Sequence, residues 1–497
     1  MDTAATPLTK YKMFIGGEWV DAASGATFES VNPFTGKPWA LIPRAGPADV
    51  DRAARAAHKA FTEGEWPKLT ATQRGALLRK LGDLIAPKAK LLAEIEVRDN
   101  GKLISEMSAQ TAYMAQWYYY FGGLADKVEG AVLPSDKADI FNYTRHEPLG
   151  VVAALVPWNS PLLLTAWKLA PALAAGNTVV LKPSEFTSAS LLEFMKLVQE
   201  AGFPPGVVNV VTGFGPETGA PLVEHPLVAK ITFTGSDATG QKIYESAARG
   251  LKRVSLELGG KSPNIVFDDA DLDNAVKGAI SGIFAATGQT CIAGSRLLVQ
   301  RSIHDAFVEK LVAFAKTAKM GDPMSTDTQV GPITTPPQYK KVLDYIDIAR
   351  GEGATAALGG AKSADFGEGY FVQPTIFIGV KNTMRIAQEE VFGPVLSVIP
   401  FENDEEAIAI GNGVVYGLAA GVWTQNIKRA LTMANRLQAG TVWVNTYRAV
   451  SFMSPFGGYK RSGIGRESGQ DMIKEYLQTK SVWISTATEV PNPFVMR

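Results

Sequence analysis

Two side chains of this sequence have the chemistry to form and hydrolyse a thioester. Cys291 is the only cysteine in 497 residues and lies in the glycine-flanked stretch GQTCIAG. A lone thiol cannot close a disulfide within the chain, so another role must be sought for it. Glu257 lies 34 positions earlier and opens the stretch ELGGK. We therefore expect Cys291 to act as a nucleophile and Glu257 to activate water as a general base.

Each of these residues also has a structural interpretation when it is taken alone. A single cysteine often serves as a small buried apolar side chain. Glu257 could form an ion pair with Lys252 or Arg253, which precede it closely. The choice depends on the elements around the two residues and on the other motifs of the chain.

An alternation of short apolar runs and helix-length segments begins near residue 149. The apolar runs are GVVAALV, NTVVLK, GVVNVV and KITFTG. This pattern predicts parallel strands joined by crossover helices, which is a doubly wound, Rossmann-like sheet. A second alternation after Glu257 predicts a further α/β unit, whereas residues 47–128 have mostly helical periodicity.

Several polar residues follow the predicted strands at positions suited to a nucleotide. Gly235 and Gly240 frame the turn after KITFT, where a helix N-terminus offers free N–H groups to an anion. Their spacing is not the common GxGxxG, and an ordinary tight turn is the alternative. Lys182 and Glu185 follow NTVVL at the carboxyl edge of the sheet, where ligands bind in such folds. In isolation they would be interpreted as a solvated charge pair.

Charge and hydropathy favour a small-molecule partner. The chain has 49 basic and 49 acidic residues, so no overall field attracts nucleic acid or an anionic membrane. No apolar run reaches the length of a signal peptide core or a membrane span. We expect a cytoplasmic protein that binds neither nucleic acid nor membrane and holds no metal.

Seven ordered segments carry a family resemblance from about Phe14 to about Ser485. They are PWNSP, KPSE, FTGS, ELGGK, GQTCIAG, EEVFGPV and PFGGYKRSGIGRE. In order and approximate spacing they resemble the NAD(P)-dependent aldehyde dehydrogenase superfamily, in particular its soluble, non-acylating members.

The resemblance implies a reaction and two further catalytic positions. The Cys291 thiolate would attack an aldehyde, and the resulting thiohemiacetal would lose a hydride to become a thioester. Asn159 and the backbone N–H of Cys291 would stabilise the oxyanion, although an asparagine after tryptophan can also be a turn residue. Lys168 matches a lysine near the family's proton path, but a snorkelling helix lysine is equally compatible with its position.

The resemblance also implies a dinucleotide site. Ser236 would contact the pyrophosphate, and Lys182 and Glu185 would bind ribose hydroxyls. A carboxylate at Glu185 repels a 2′-phosphate, so NAD is favoured over NADP. Glu390 and Phe392 would hold the nicotinamide ribose and ring, or would merely end a helix and fill a core. The complete predicted set is Trp158, Lys182, Glu185, Gly215, Gly235, Ser236, Gly259, Glu390 and Phe392.

The predicted aldehyde tunnel is mainly apolar. Family position places there Met114, Trp117, Trp167, Phe284, Ala285, Ile292, Val450 and Phe456, a set that suits a hydrophobic aldehyde. Ser160, Ala285 and Val450 stand where many relatives carry larger aromatic rings, which predicts a wide tunnel. Arg448 is unusual there, since a guanidinium suits a two-point grip on a carboxylate. A surface arginine is the alternative.

The resemblance divides the chain into three parts. The NAD-binding domain comprises residues 1–128 and 149–258, the catalytic domain comprises 259–459, and 460–475 returns to the first domain. Residues 129–148 and 476–490 resemble the family's small β oligomerisation arm. The strand-like VWIS within it would leave an unsatisfied edge alone, so we expect pairing with another subunit in a homodimer or homotetramer.

Two other functions stay open at this point. An acylating enzyme would pass the thioester to coenzyme A, but such relatives generally lack a carboxylate at the position of Glu257. A noncatalytic structural or binding paralogue would be expected to lose Cys291, Asn159 or Glu257, and all three are present. Esterase activity from the same thiol and base is a further side reaction.

Overall fold

Two mainly parallel sheets organise the computed structural model, which describes residues 7–490 and 492–495. The first has eight strands, in the spatial order Gly463–Ile464, Arg253–Glu257, Val228–Thr234, Val151–Val156, Thr178–Pro183, Val208–Val210, Met13–Ile15 and Glu18–Val20. The five strands from Arg253–Glu257 to Val208–Val210 are all parallel. These strands are short and almost continuously apolar because both faces of the sheet are covered.

The strand order of this sheet creates a ligand crevice. Along the chain the parallel strands run outward from Val151–Val156 in one direction, and the chain then returns to its other side with Val228–Thr234. Ligands of doubly wound sheets bind at such a reversal, outside the carboxyl ends of the strands. The predicted Rossmann-like sheet is therefore confirmed.

The second sheet has seven strands and forms the predicted further α/β unit. Their spatial order is Thr355–Leu358, Thr375–Ile378, Val395–Phe401, Arg296–Gln300, Pro263–Val266, Ala419–Trp423 and Thr441–Val444. Only the edge strand Thr355–Leu358 is antiparallel. The short segment 258–262 joins the last parallel strand of the first sheet to Pro263–Val266 of the second, so it lies where the two sheets meet.

Helices cover both sheets. The α-helices are Pro47–Thr62, Ala71–Ile85, Ala89–Asn100, Ile104–Leu124, Pro161–Ala174, Ala189–Ala201, Ala220–Glu224, Asp237–Arg249, Leu272–Phe284, His304–Ala315, Pro336–Gly351, Arg385–Gln388, Asp404–Asn412 and Ile427–Arg436. Pro161–Ala174 is apolar on nearly all sides and almost wholly buried, as expected for a helix in the middle of a core. Lys168 is its single charged residue and is fully buried.

A three-stranded antiparallel sheet stands apart from the two main sheets. Leu477–Ser485 pairs along its whole length with Ile140–Pro148, which also pairs with Val132–Leu133. The VWIS run thus finds one strand partner within the same chain, and its expected pairing with another subunit stays a prediction. Leu477–Ser485 nevertheless remains an edge strand with one open side.

The predicted domain boundaries stay predictions, although the strand assignments bear on them. Gly463–Ile464, from the segment predicted to return, pairs with Arg253–Glu257 of the first sheet. Met13–Ile15 and Glu18–Val20 join that sheet as well, whereas residues 1–6 of the predicted first domain lie outside the described residues. In the described ranges, no helix combines the length and apolar character needed to cross a bilayer.

Candidate active site

Cys291 follows a sharp turn at the end of the helix Leu272–Phe284. Ala286, Thr287 and Gly288 all have positive φ values, of 52°, 53° and 69°. A Cβ on Gly288 would lie 2.0 Å from the carbonyl oxygen of Gly393, so only glycine fits that step. Tyr447 donates a hydrogen bond from its hydroxyl to the carbonyl of Ile292 at 3.0 Å and fixes the other side of the loop.

The surroundings of Cys291 keep its thiol protonated in the free protein. Burial raises the pKa of Cys291 to about 12, and the negative charges of Glu257 and Glu390 act in the same direction. The backbone N–H of Cys291 and the ammonium group of Lys102 oppose that rise. A productive attack therefore needs an added positive charge or a proton acceptor beside the thiol.

Asn159 lies on the turn that follows the strand Val151–Val156. Its buried side-chain amide donates a hydrogen bond to the carbonyl of Gln289 at 3.1 Å, directly beside the Cys291 loop. An asparagine amide carries two N–H donors, so a second one is available to a ligand. This contact fixes the amide near the thiol and does more than complete a turn.

Glu257 is the last residue of the strand Arg253–Glu257 and is buried. Among the described residues, its Oε2 atom has no hydrogen-bond partner. Burial, followed by the charge of Glu467, raises the pKa of Glu257 well above its usual value, while Lys168 and Arg466 act against that rise. A buried carboxylate with a raised pKa and a free oxygen is suited to accept a proton near neutral pH.

Within residues 7–490 and 492–495, Glu257 forms no ion pair with Lys252 or Arg253. Lys252 donates hydrogen bonds to the carbonyls of Val223 and His225. Arg253 donates to the carbonyl of Leu477. The structural interpretation of Glu257 as half of a strand-end ion pair is therefore wrong.

Lys168 lies behind Glu257 in a buried polar cluster. Its ammonium group donates to the hydroxyl of Thr234 at 2.7 Å and forms a close ion pair with Glu467. Glu467 also lines the cavity that contains Cys291 and Glu257. The structure thus places Lys168 beside the second carboxylate of the site, where it holds that carboxylate in position.

A cavity of about 390 Å³ connects these groups to the molecular surface. Its wall includes Cys291, Glu257, Asn159 and all five predicted substrate residues, Trp167, Ile292, Arg448, Val450 and Phe456. Of the other expected tunnel residues, Met114, Trp117 and Phe284 are buried behind this wall, and Ala285 is outside the lining. Trp117 supports the wall by stacking on Trp167, with ring centroids 5.5 Å apart.

The predicted cofactor residues surround the crevice at the carboxyl edge of the first sheet. Gly235 follows the strand Val228–Thr234, and its N–H donates to the carbonyl of Glu257 at 3.1 Å. Ser236 caps the helix Asp237–Arg249, where its hydroxyl accepts from the N–H of Thr239 at 3.3 Å. The positive end of this helix faces the crevice and suits a phosphate.

Lys182 is the penultimate residue of the strand Thr178–Pro183, and Glu185 follows the end of that strand. The Lys182 side chain is nearly buried, with its Nζ 3.6 Å from Glu185 Oε2. The pair is therefore not the solvated one that the sequence left open. Gly215 opens the short π-helical turn Gly215–Gly219, and a Cβ built there meets no atom within 4 Å.

Glu390 and Phe392 lie where the second sheet meets the crevice. Glu390 accepts a hydrogen bond from the N–H of Gly260 at 2.9 Å, and a Cβ on Gly259 would lie 2.6 Å from its carboxylate. Phe392 has a left-handed φ of 59° and packs edge-on against Trp158, with centroids 5.2 Å apart. The neighbouring Glu389 instead pairs with Arg385 at the surface.

Two charged residues of the cavity lining were not singled out by sequence reasoning. Glu467 lies within the quoted segment PFGGYKRSGIGRE, but its position after glycine and arginine gave no sign of burial. Lys102, in DNGKL, follows a helix end and had the appearance of an ordinary solvated lysine. Both line the cavity and are nearly inaccessible to solvent, with 1% and 2% of their surface exposed.

The chain is similar to known proteins along nearly its whole length. The model of the aldehyde dehydrogenase family matches residues 19–482. A (Z)-2-((N-methylformamido)methylene)-5-hydroxybutyrolactone dehydrogenase from Acinetobacter baylyi is 50% identical, over 99% of this chain and 100% of its own. Aldehyde dehydrogenase 1A1 of Gallus gallus is 47% identical, over 95% of this chain and 93% of its own.

Solved structures that are similar to this chain are also aldehyde dehydrogenases. The NAD+ complex of an aldehyde dehydrogenase from Bacillus cereus is 47% identical with a TM-score of 0.94, and the match covers 96% of this chain and 97% of that one. A point mutant of betaine aldehyde dehydrogenase from Staphylococcus aureus, in complex with NAD+ and with a BME-modified cysteine, is 41% identical with a TM-score of 0.96. That match covers 98% of this chain and 99% of the other.

Proposed function

The chain belongs to the aldehyde dehydrogenase family, and we propose that it oxidises an aldehyde to the carboxylic acid with NAD, through a Cys291 thioester that Glu257 hydrolyses. The observation that carries this proposal is the arrangement of three groups on one cavity wall. The thiol of Cys291, the amide of Asn159 and the unpartnered carboxylate of Glu257 all face the same space.

The first step is formation of the sulfur–carbon bond. Glu257 accepts the thiol proton, directly or through a water molecule, as the sulfur of Cys291 attacks the aldehyde carbon. The carbonyl electron pair moves to oxygen, and the free N–H of Asn159 and the backbone N–H of Cys291 donate to that oxyanion. Each such donor acts most strongly in the transition state, when the charge develops.

The residues around the crevice fit a dinucleotide without a 2′-phosphate. The N-terminus of the helix that Ser236 caps suits the pyrophosphate, and Lys182 and Glu185 suit ribose hydroxyls. Glu390 is a half-buried carboxylate whose pKa is raised by desolvation, and a ribose hydroxyl is a natural donor to it. When bound, NAD supplies the acceptor for the hydride that the thiohemiacetal carbon loses, which leaves an acyl thioester on Cys291.

The last step releases the acid. Glu257 first releases the thiol proton toward solvent and then takes a proton from a water molecule that attacks the thioester carbon. The carbon–sulfur bond breaks, and Cys291 leaves as the thiolate, ready for the next turnover. Glu467, held by Lys168, lies close enough to raise the pKa of Glu257. The Glu467 carboxylate accepts the proton from Glu257 and passes it on toward solvent.

Hydrolysis distinguishes this function from the acylating alternative. Aldehyde-dependent NADH production without coenzyme A, with the carboxylic acid as product, is the expected result. A requirement for coenzyme A would favour the acylating function. Absence of NADH with a wide panel of aldehydes would favour a noncatalytic paralogue.

The substrate carries a carboxyl group in this proposal. The relative from Acinetobacter baylyi is named for a 5-hydroxybutyrolactone, and such a ring opens to an aldehyde with a carboxyl group at the other end of a short chain. The cavity of the present chain contains Arg448 as well as apolar side chains. Both observations support an aldehyde acid over a purely hydrophobic aldehyde.

We also propose that the protein forms a homodimer or homotetramer and acts in the cytoplasm. The edge strand Leu477–Ser485 has one open side and carries the exposed apolar residues Trp483 and Ile484. An exposed apolar edge of this kind is a natural surface for association with a second subunit. Sedimentation analysis of the purified chain measures the assembly directly.

A further inference from the structure

The cavity has a second polar region, formed by Lys102, Ser160 and Arg448. Lys102 follows Gly101, whose left-handed φ of 71° ends the helix Ala89–Asn100 and turns the chain inward. The Lys102 ammonium group donates a hydrogen bond to the hydroxyl of Ser160 at 2.9 Å. All three side chains line the cavity that contains Cys291.

Ser160 faces the cavity instead of capping its own helix. It is the N-cap residue of Pro161–Ala174, yet its hydroxyl makes no capping hydrogen bond. The hydroxyl accepts from Lys102, and its own O–H remains able to donate to a ligand. The positive end of a 14-residue helix lies at the same place and adds to the preference for an anion.

Arg448 brings a second cation to this region. Its backbone has a left-handed φ of 68°, a conformation that non-glycine residues rarely adopt. Its guanidinium donates only one long hydrogen bond, of 3.4 Å, to the carbonyl of Ser281. Arg448 is close enough to Lys102 for its charge to lower the pKa of that lysine.

Neither cation has an ion-pair partner among the described residues. Glu106 is the carboxylate with the largest effect on Lys102, but its Oε1 atom accepts a hydrogen bond from the N–H of Ala286 at 2.7 Å. Glu96 is buried, with its carboxylate beside the amide of Asn100. Since an unpaired buried charge is costly, Lys102 is best satisfied by an anionic ligand, to which the half-buried Arg448 is also able to donate.

We propose that the Lys102–Ser160–Arg448 cluster binds the carboxylate of an aldehyde acid whose aldehyde group reacts at Cys291. This inference rests on the proposed function and assigns its substrate selectivity to named residues. Lys102 and Arg448 supply charge-assisted hydrogen bonds, and Ser160 supplies a neutral one. The apolar side chains between the two ends, including Trp167 and Phe456, contact the carbon chain of the substrate.

The test compares acids with their methyl esters. Purified enzyme with NAD is assayed on 4-oxobutanoate, 5-oxopentanoate and 6-oxohexanoate and on the three corresponding esters. We expect kcat/KM for the best acid to exceed that for its ester by roughly 10- to 100-fold, as charge-assisted hydrogen bonds allow. Equal values for each acid and its ester would overturn the proposal.

Variants assign the preference to the cluster. Lys102→Met and Arg448→Met should each lower the ratio of kcat/KM for the acid to kcat/KM for its ester by about 10-fold or more. Ser160→Ala should have a smaller effect in the same direction. Parallel losses on acid and ester would contradict the assignment, because damage to the fold or to the thiol does not depend on substrate charge.

Lys277→Met is the matched control. Lys277 is an exposed cation on the nearby helix Leu272–Phe284 and is not part of the cavity lining. The control should keep the preference of the wild type for the acid. If it lost that preference as the cluster variants do, long-range attraction rather than binding at the cluster would explain the selectivity.

A binding measurement separates this inference from the reaction itself. Calorimetric titration with 4-hydroxybutanoate, which has no aldehyde, should show tighter binding than with 1,4-butanediol, and Lys102→Met should remove the difference. If the enzyme oxidised no aldehyde but still bound this acid through Lys102, only the proposed function would fail. If the acid and the diol bound equally to the wild type, the carboxylate site would be overturned.

Discussion

The two ends of the cavity use burial in opposite directions. At the inner end, burial raises the pKa of Glu257 and of Cys291, so both groups favour their protonated forms. The Lys102–Ser160–Arg448 cluster is called the outer end because, among the described residues of the cavity lining, Arg448 is the one charged residue that is not buried. At this end, burial lowers the pKa of Lys102 to about 8. Glu257 and Cys291 at the inner end are thus suited to exchange protons during a reaction. The charge of Lys102 at the outer end is instead stabilised when an anion binds.

Removal of the thiol should have the largest effect on the inner end. Cys291→Ser leaves a hydroxyl that the same carboxylate cannot activate to a comparable extent, so aldehyde-dependent NADH production should fall to background. The fold and NAD binding should persist, as checked by circular dichroism and by titration with NAD. Near-normal turnover would remove Cys291 from the mechanism.

Loss of the oxyanion donor should come next. Asn159→Ala removes one of two donors to the developing charge, and kcat should fall by roughly 100- to 1,000-fold. Binding of the substrate acid at the outer end should change little, because Asn159 is not part of the Lys102 cluster. A loss confined to KM would show instead that Asn159 positions the substrate in its ground state.

The acidic limb of the pH profile should depend on the second carboxylate. Glu257 must be deprotonated to act as a base, so hydrolysis should slow as pH falls through its raised pKa. Since the charge of Glu467 raises that pKa and Lys168 lowers it, Glu467→Gln should move the acidic limb to lower pH. Lys168→Met should move it to higher pH, and equal shifts in one direction would contradict the arrangement.

Titration of Lys102 at the outer end should have the smallest effect on activity. This effect should appear as pH rises, whereas the effect of Glu257 appears as pH falls. The Lys102 ammonium group loses its proton as pH rises through about 8, so KM for an oxo acid should increase above that pH. Besides burial, the groups that set this value are Glu106, Arg448, Glu96 and Cys291. The KM of the methyl ester should stay flat over the same range, and a parallel rise for both substrates would argue against Lys102.

The sequence predicted the inner end better than the outer one. Cys291, Glu257 and Asn159 could be assigned because their residue types, together with the seven segments, specify a reaction. Their meeting point follows from strand order, since Asn159 and Glu257 come after parallel strands that end at the same edge. The roles assigned to the catalytic, cofactor and substrate residues stay predictions, as do the subunit number and the location.

The Lys102–Ser160–Arg448 cluster could not be predicted, because local sequence patterns do not show which side chains the fold buries. Lys102 follows a glycine helix cap, a position where lysines usually face solvent, and only the packing of Ser160 against it reveals the cavity. The same holds for Glu467, whose partner Lys168 comes from a distant helix. The VWIS run was assigned to a strand correctly. Its partner, Ile140–Pro148, lies far away along the chain, and only the family resemblance, not a local pattern, placed that segment in the same arm.

The central claim is that Glu257 hydrolyses the thioester on Cys291, and Glu257→Gln tests it most directly. Mixed rapidly with NAD and an excess of aldehyde, this variant should release about one equivalent of NADH per active site in a first turnover and then stop. Intact-mass measurement should then show the acyl group attached to Cys291. An equal loss of the first and later turnovers, with no acylated protein, would contradict this role of Glu257.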